Sequence, residues 1–318
     1  MNIKKIGLTA LAASLVSVSA YAGEMSVAGG ASVTLKNNSG TDGGKSITMG
    51  NQLTFSGGGE LDNGLNVALS FVLDHADNVA SGFDSHSITV SSDALGSITV
   101  AGDGTGNAQS ALDTTAAGDI WDNGFTYTGA NTAYTAMGGS DANNNKSINY
   151  TLPTIMDDLS VAVSYSGQTT ATNSTTAFGA TYTGVEGLSV SYGVGEAGST
   201  TATTAADVTT MKASYAIGSF TAAVSNTEND LTGTGTDEEM SSWKLSYTVS
   251  DDLSVSYGEE THETSGQSVD EEFDAISVSY TTGGMTITAA QYNATGLGNT
   301  AGAANDAERW KLSTSFAF

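Results

Sequence analysis

The sequence predicts an all-β fold: a transmembrane antiparallel β-barrel of about sixteen strands. Three observations carry this. Short segments alternate apolar with small or polar residues from one end of the chain to the other. Their connections alternate between tight turns and long polar loops. Charged residues are only 14% of the chain, with Ser, Thr, Gly and Asn in their place, against roughly a quarter in soluble domains. Such a composition suits a surface that meets something other than water, although a secreted Ser/Thr-rich β-protein would share it.

The first 22 residues stand apart. Lys4 and Lys5 form a positive n-region, Ile6 to Val18 an apolar stretch, and Ala20-Tyr21-Ala22 a small-x-small cleavage site. This is the pattern of a secretory signal peptide, and its apolar part is shorter than the roughly twenty residues a spanning helix needs. Cleavage after Ala22 would remove 22 of 318 residues and leave a 296-residue domain over 23–318. No other run approaches helical spanning length, so insertion into a membrane must be by strands.

In the mature chain each strand keeps one parity. Met25, Val27, Ala31, Val33 and Leu35 alternate with small or polar neighbours, as do Ile47, Met49, Leu53 and Phe55. After the Asp62-Asn63-Gly64 turn come Leu65, Val67, Leu69, Phe71 and Leu73, then Ile88 and Val90, then Ile98 and Val100. Farther on, Ile148, Tyr150 and Leu152 lead to Pro153, and Leu159, Val161, Val163 and Tyr165 follow. The same texture runs through Phe178–Tyr182, Leu188–Val194, Met211–Tyr215, Phe220–Val224, Trp243–Val249, Leu253–Tyr257, Ile276–Tyr280, Met285–Ala289 and Trp310–Phe318. Period-two alternation puts one set of side chains on one face of a sheet. The opposite set is Ser, Thr, Gly, Asn and Gln, a polar face. Connections at Asp62–Gly64, Ser92–Gly96, Pro153–Asp158, Gly184–Gly187, Gly218, Asp251-Asp252 and Gly283-Gly284 are short, and those between them are long. Short turns on one rim and long loops on the other mark an outer-membrane barrel; a soluble sandwich would keep its apolar face inside. Tyr165, Tyr182, Tyr192, Tyr215, Tyr247, Tyr257 and Tyr280 fall near strand ends on the apolar parity, where an interfacial aromatic belt would lie.

One stretch breaks the rhythm. From Gly102 to Asn145 no strand alternates, and Gly, Asn, Asp, Ala and Thr surround Asp119-Ile120-Trp121. A structureless loop of this length is usually functional or disordered. We read it (103–145) as a loop folded into the barrel lumen, where it narrows the pore.

Charge narrows the function. Nine Lys and Arg stand against 34 Asp and Glu, a formal −25; without Lys4 and Lys5, seven basic residues remain and the balance is −27. That excludes nucleic acid as a partner, since binding it needs a basic footprint. An acidic excess attracts cations. The absence of Cys removes disulfides and Cys-based metal or redox sites. His75, His86 and His262 are scattered and suggest no metal or catalytic constellation, and Gly102-Asp103-Gly104-Thr105-Gly106 lacks the strand-helix context of a nucleotide loop. Nothing in the sequence asks for an enzyme or a cofactor.

Leu95 to Asp103 before the long loop and Lys146 to Pro153 after it, with Asp158 to Tyr165 and the terminal aromatic Phe318, resemble Gram-negative general porins. The resemblance covers the mature chain in length and layout. It implies sixteen strands, a homotrimer in the bacterial outer membrane among its lipid and lipopolysaccharide, and a third loop folded inward as the constriction. It also implies passage of small hydrophilic solutes, and Phe318 as the signal read by the barrel-assembly machinery. One departure matters: the family usually places Arg on early strands facing the loop, whereas here those positions are Thr48, Gln52, Thr54, Thr89 and Ser91.

The candidate site follows. Asp103, Asp113, Asp119 and Asp122 are the carboxylates of the constriction loop, able to select ions by sign or simply solvated, and Trp121 is a candidate anchor against the wall. Lys212, Lys244, Arg309 and Lys311 fall on the polar parity; at mid-depth in lipid they would be costly, which places them in the lumen. The runs Asp237-Glu238-Glu239, Glu259-Glu260 and Asp270-Glu271-Glu272, in or beside long loops, offer oxygen ligands to Ca²⁺ or Mg²⁺ or are solvated faces. The function expected is passive diffusion with cation preference. Two alternatives stand beside it: a substrate-specific channel, which would need an aromatic track or binding patch in the lumen, and a secreted adhesive β-protein soluble without detergent.

Overall fold

The computed structural model describes residues 25–37, 44–74, 85–103, 106–125, 147–167, 174–197, 206–231 and 236–318. The proposed signal peptide, Lys146, His75 and the second part of the long loop, 126–145, lie outside the described residues, as does the side chain of Asp103. Sixteen strands are present: β1 (Met25–Asn37), β2 (Lys45–Glu60), β3 (Asn66–Asp74), β4 (Ser85–Ser92), β5 (Gly96–Asp103), β6 (Ser147–Thr151), β7 (Leu159–Ser166) and β8 (Thr175–Val185). They continue as β9 (Leu188–Ala197), β10 (Ala206–Ile217), β11 (Phe220–Leu231), β12 (Glu238–Ser250), β13 (Leu253–Thr264), β14 (Glu271–Thr282), β15 (Met285–Thr295) and β16 (Ala307–Ala317).

Each strand pairs antiparallel with its sequence neighbours, and β1 pairs with β16, so the sheet closes on itself. The closing seam runs in register from Gly30↔Ala317 to Lys36↔Lys311. Phe318, just beyond β16, extends the seam: Gly29 N–H donates to the Phe318 carbonyl at 2.7 Å and Phe318 N–H to the Gly29 carbonyl at 2.9 Å. In hydrocarbon an unpaired backbone amide costs several kcal/mol, and closure removes the edges at which such amides would be found.

The apolar parity faces outward. Leu245 is 47% exposed, Ile276 55%, Met211 55% and Val224 54%, values a soluble core would not show. Outward aromatics form two levels. Tyr182, Tyr215, Phe220, Tyr247, Tyr280 and Phe316 lie toward the tight turns; Tyr165, Tyr192, Trp243, Tyr257 and Trp310 lie toward the long loops. Phe220 and Tyr247 pack with ring centroids 4.7 Å apart, and Trp243 and Tyr257 at 5.5 Å. Above that second pair stands Glu259, on the same face, accepting from Trp243 Nε1 at 3.0 Å and from the Tyr257 hydroxyl at 2.7 Å.

The tight turns need backbone that most residues resist. At Gly187 φ is +77°, and a Cβ there would lie 2.3 Å from the Ala216 carbonyl oxygen, so only glycine lets β8 turn so sharply into β9.

If the outward parity meets lipid, charge there is costly and charge inside is not. Leu245→Arg, between Trp243 and Tyr247, is expected to lower the stability of the folded barrel in bilayers by about 2–4 kcal/mol. Thr288→Arg, on the inward parity, should change it far less. Equilibrium urea unfolding in lipid vesicles measures both.

Candidate functional site: a segment laid along the inner wall

Residues 106–125 leave β5 and follow the inside of the barrel, touching the polar parity of strand after strand. Asn107 starts the path with a tight turn, its Oδ1 accepting the N–H groups of Gln109 at 2.9 Å and Ser110 at 2.8 Å. Asn149 of β6 donates to the Gly106 carbonyl at 3.3 Å, and Ala108 N–H donates to Ser164 Oγ of β7 at 2.9 Å. Gln109 Nε2 donates to Thr210 Oγ1 of β10 at 2.9 Å. Ala116 N–H then donates to Ser225 Oγ of β11 at 2.8 Å, and Ala117 N–H to Ser242 Oγ of β12 at 3.2 Å. The wall beneath is kept small: a Cβ on Gly179 of β8 would come within 2.2 Å of the Ala108 carbonyl oxygen. The Ser and Thr that looked like a featureless polar face are the hydroxyls that hold this segment.

Its far end is held by packing. A three-residue 3₁₀ turn, Ile120–Asp122, follows Asp119, whose φ is +54°. Ile120 and Phe125 are buried with Phe273 of β14, Ala294 of β15, Leu297 of the loop between β15 and β16, and Ala307 of β16, and Trp121, Ala275 and Tyr292 pack against that cluster. Phe125 and Phe273 have ring centroids 5.5 Å apart. A small apolar core therefore sits inside an otherwise polar lumen.

The sequence-derived site residues fall as follows. Asp122 is exposed, Asp113 and Asp119 are half-buried, and Asp119 Oδ1 accepts Thr115 N–H at 2.9 Å. Lys212, Lys244, Arg309 and Lys311 all lie on the inward parity. Three of them donate to backbone carbonyls of the segment: Lys212 to Thr114 at 2.7 Å, Lys244 to Ala117 at 3.3 Å, and Arg309, which is buried, to Asn123. These three cations reach the backbone of the segment from β10, β12 and β16. Lys311 is opposite Lys36 of β1 in the closing register, so two inward ammonium groups stand side by side on the seam.

The acidic runs lie at or near the long-loop ends of strands: Asp237 and Asp270 precede β12 and β14, Glu238 and Glu239 open β12, Glu259 and Glu260 lie within β13, and Glu271 and Glu272 open β14. A strand sends successive side chains to opposite faces, which splits each run. Glu271 is buried inward, Oε2 2.8 Å from His262 Nδ1 and Oε1 accepting Gly298 N–H at 2.6 Å, whereas Glu272 faces out. Glu238 Oε1 lies 3.8 Å from His262 Nε2, so this histidine, which the sequence leaves isolated, is gathered with two carboxylates. Among the described residues no group of three His, Asp or Glu converges in an arrangement that could hold a metal ion. Glu228, Asp230, Asp237, Glu238, Glu239 and Asp270 instead border an open cavity of about 370 Å³ at the long-loop rim.

Sequence reasoning passed over Lys36 and the role of Glu260. Lys36 shares the inward parity of β1 and was legible from it. Glu260 is only 1% exposed and accepts from the Thr115 hydroxyl, from Ile120 N–H at 2.9 Å and from Trp121 N–H at 2.9 Å. Its even position beside outward Tyr257 and Glu259 was the available signal.

Comparison with known proteins agrees with the fold. The sequence family described as Gram-negative porin matches residues 7–318. Among solved structures the chain resembles a porin, with a TM-score of 0.68 and 16% identity over 93% of this chain and 100% of that one. It also resembles an anion-selective porin from Comamonas acidovorans, with a TM-score of 0.69 and 15% identity over 93% and 100%. A third is OmpT, an outer membrane protein of Vibrio cholerae in its trimer form, with a TM-score of 0.65 and 17% identity over 93% and 100%. No curated protein matches the chain by sequence.

If the apolar cluster pins the segment's far end, truncating its largest wall side chain should loosen it. Phe273→Ala is expected to cost about 3–5 kcal/mol of stability with the far-ultraviolet circular dichroism of the barrel unchanged, measured by thermal and urea unfolding.

Proposed function

Since the chain belongs to the Gram-negative porins, an outer-membrane diffusion channel by family and by fold, we propose that residues 106–125 bound its narrowest opening and that the opening prefers cations. The observation that carries this is the disposition of charge around the segment. Its carbonyls take up Lys212, Lys244 and Arg309, while Asp122 is exposed and Asp113 half-exposed at its surface. Across the lumen, β1 to β5 offer Ser32, Gln52, Thr89 and Thr99, with Asp74 at the end of β3. A narrow, low-dielectric opening lined by one sign of charge concentrates counter-ions. Lys36 and Lys311 temper this on the seam without outnumbering the carboxylates. The Comamonas acidovorans porin is described as anion-selective, so the shared fold does not set the sign, and the residues at the opening must.

The same reading extends to export and assembly. Residues 1–22 serve as a cleaved signal peptide, and the mature barrel is a homotrimer embedded among outer-membrane lipid and lipopolysaccharide. OmpT in its trimer form shares the fold, and the outward faces of β1 and β16 are apolar enough to pack against another copy. Phe318, 77% exposed at the end of the seam, suits a C-terminal signal presented to the barrel-assembly machinery. Transport of this kind is passive and needs no cofactor. Hydrated Ca²⁺ or Mg²⁺ would collect loosely at the acidic rim rather than in a chelating site.

The decisive measurement is single-channel current in a planar bilayer with a reversal potential under a KCl gradient. Stepwise, near-ohmic openings with a cation-side reversal are expected, and Asp113→Asn with Asp122→Asn should move the reversal toward zero. An anion-side reversal sinks the charge argument while leaving the channel in place. Separately, the purified protein is expected to migrate as a trimer on an unheated detergent gel and as a monomer after boiling; a monomer in both lanes would refute the trimer.

A further inference from the structure

Glu260 is a carboxyl group that no solute meets. It projects inward from β13, is 1% exposed, and among the described residues the ion pairs within 4 Å are those of His262, not of Glu260. Three donors surround it, all from the segment: the Thr115 hydroxyl and Ile120 N–H on Oε1, and Trp121 N–H on Oε2. Thr115 is itself the knot of the turn. Its Oγ1 accepts Gly118 N–H at 3.0 Å and Asp119 N–H at 2.7 Å, and its own N–H donates to Asp119 Oδ1. A carboxylate buried without a cation persists only where hydrogen bonds satisfy both oxygens, and here every one of those bonds comes from residues 115–121.

We propose that Glu260 is a positioning residue: it fixes the distance of residues 115–122 from the wall, and thereby the size and steadiness of the opening, without reading the charge of the passing ion. This rests on the reading of residues 106–125 as the constriction. The carboxylate is suited to the task because both its oxygens accept. Glutamine keeps the length but replaces one acceptor with a donor that faces another donor. Aspartate keeps the charge but is one methylene short of the segment. The carboxyl group is 1% exposed and turned to the segment's own donors, so its replacement leaves ion preference alone.

The test uses the full-length protein in planar bilayers. In Glu260→Gln the rate of closing events at fixed voltage is expected to rise tenfold or more, as when buried donors lose an acceptor, with the reversal potential unchanged. The chain has no cysteine, so Ala116→Cys with Ser225→Cys can be oxidised to tie the segment to β11, where Ala116 N lies 2.8 Å from Ser225 Oγ; in Glu260→Gln that cross-link should restore quiet currents. Currents as steady as those of the unmodified channel would overturn the proposal. So would a reversal shift as large as that of Asp122→Asn, because Glu260 would then be read as charge. If Glu260→Gln does not fold, Thr115→Val removes one donor, leaves the carboxylate, and should raise the closing rate to a smaller extent; a quiet Thr115→Val would count against the proposal. Asp122→Trp tests the constriction alone: unchanged conductance sinks that reading, whereas lowered conductance with a quiet Glu260→Gln sinks only the role of Glu260.

Discussion

Everything in this molecule follows from the closure of one backbone hydrogen-bond network. A sheet in lipid has no water to satisfy its edges, so β1 must find β16, and the pairing continues one residue past the last strand to Phe318. Closure makes an inside, and the pleat then decides what the inside contains. Each strand sends its apolar residues out and its small and hydroxyl residues in. The lumen is therefore not a core in the usual sense but a wall of hydrogen-bonding groups that something must satisfy.

Over half the circumference, that something is the chain itself. Residues 106–125 take hydroxyls from β7, β10, β11 and β12, a carboxylate from β13, and cations from β10, β12 and β16. Donors on the segment find wall acceptors, and its carbonyls find wall cations. Amphipathic long side chains are well suited to this, with a stem against the wall and a head on the backbone. Lys212, Lys244 and Arg309 thus complement the segment's carbonyls.

The fold was legible in the sequence because period-two alternation and turn spacing are strong local signals, and the structure returns sixteen strands with tight turns where they were read. The inward placement of Lys212, Lys244, Arg309 and Lys311 was legible for the same reason. Parity names a face; it does not name a partner. That Lys244 ends on the Ala117 carbonyl depends on a contact 127 residues away in sequence, which no local pattern encodes. The carboxylate runs show what composition leaves out. Read as strings of like residues they offered either oxygen ligands or a solvated face, and the same parity that placed the lysines divides Glu259 from Glu260 and Glu271 from Glu272. The inward role of Glu260 was missed because composition was weighed there before periodicity.

Glu259 carries a mechanical meaning. Held by Trp243 and Tyr257 on the outward face, it is a fixed polar mark at the upper limit of the apolar band, with Asp274 opposite it on β14 and Glu239 farther toward the rim on β12. Any tilt of the barrel axis toward that side, or any sinking of the barrel, would draw this row of carboxylates below the headgroups. The barrel is accordingly keyed to one depth and one attitude in its bilayer, and a thicker membrane would have to thin around it rather than carry it along.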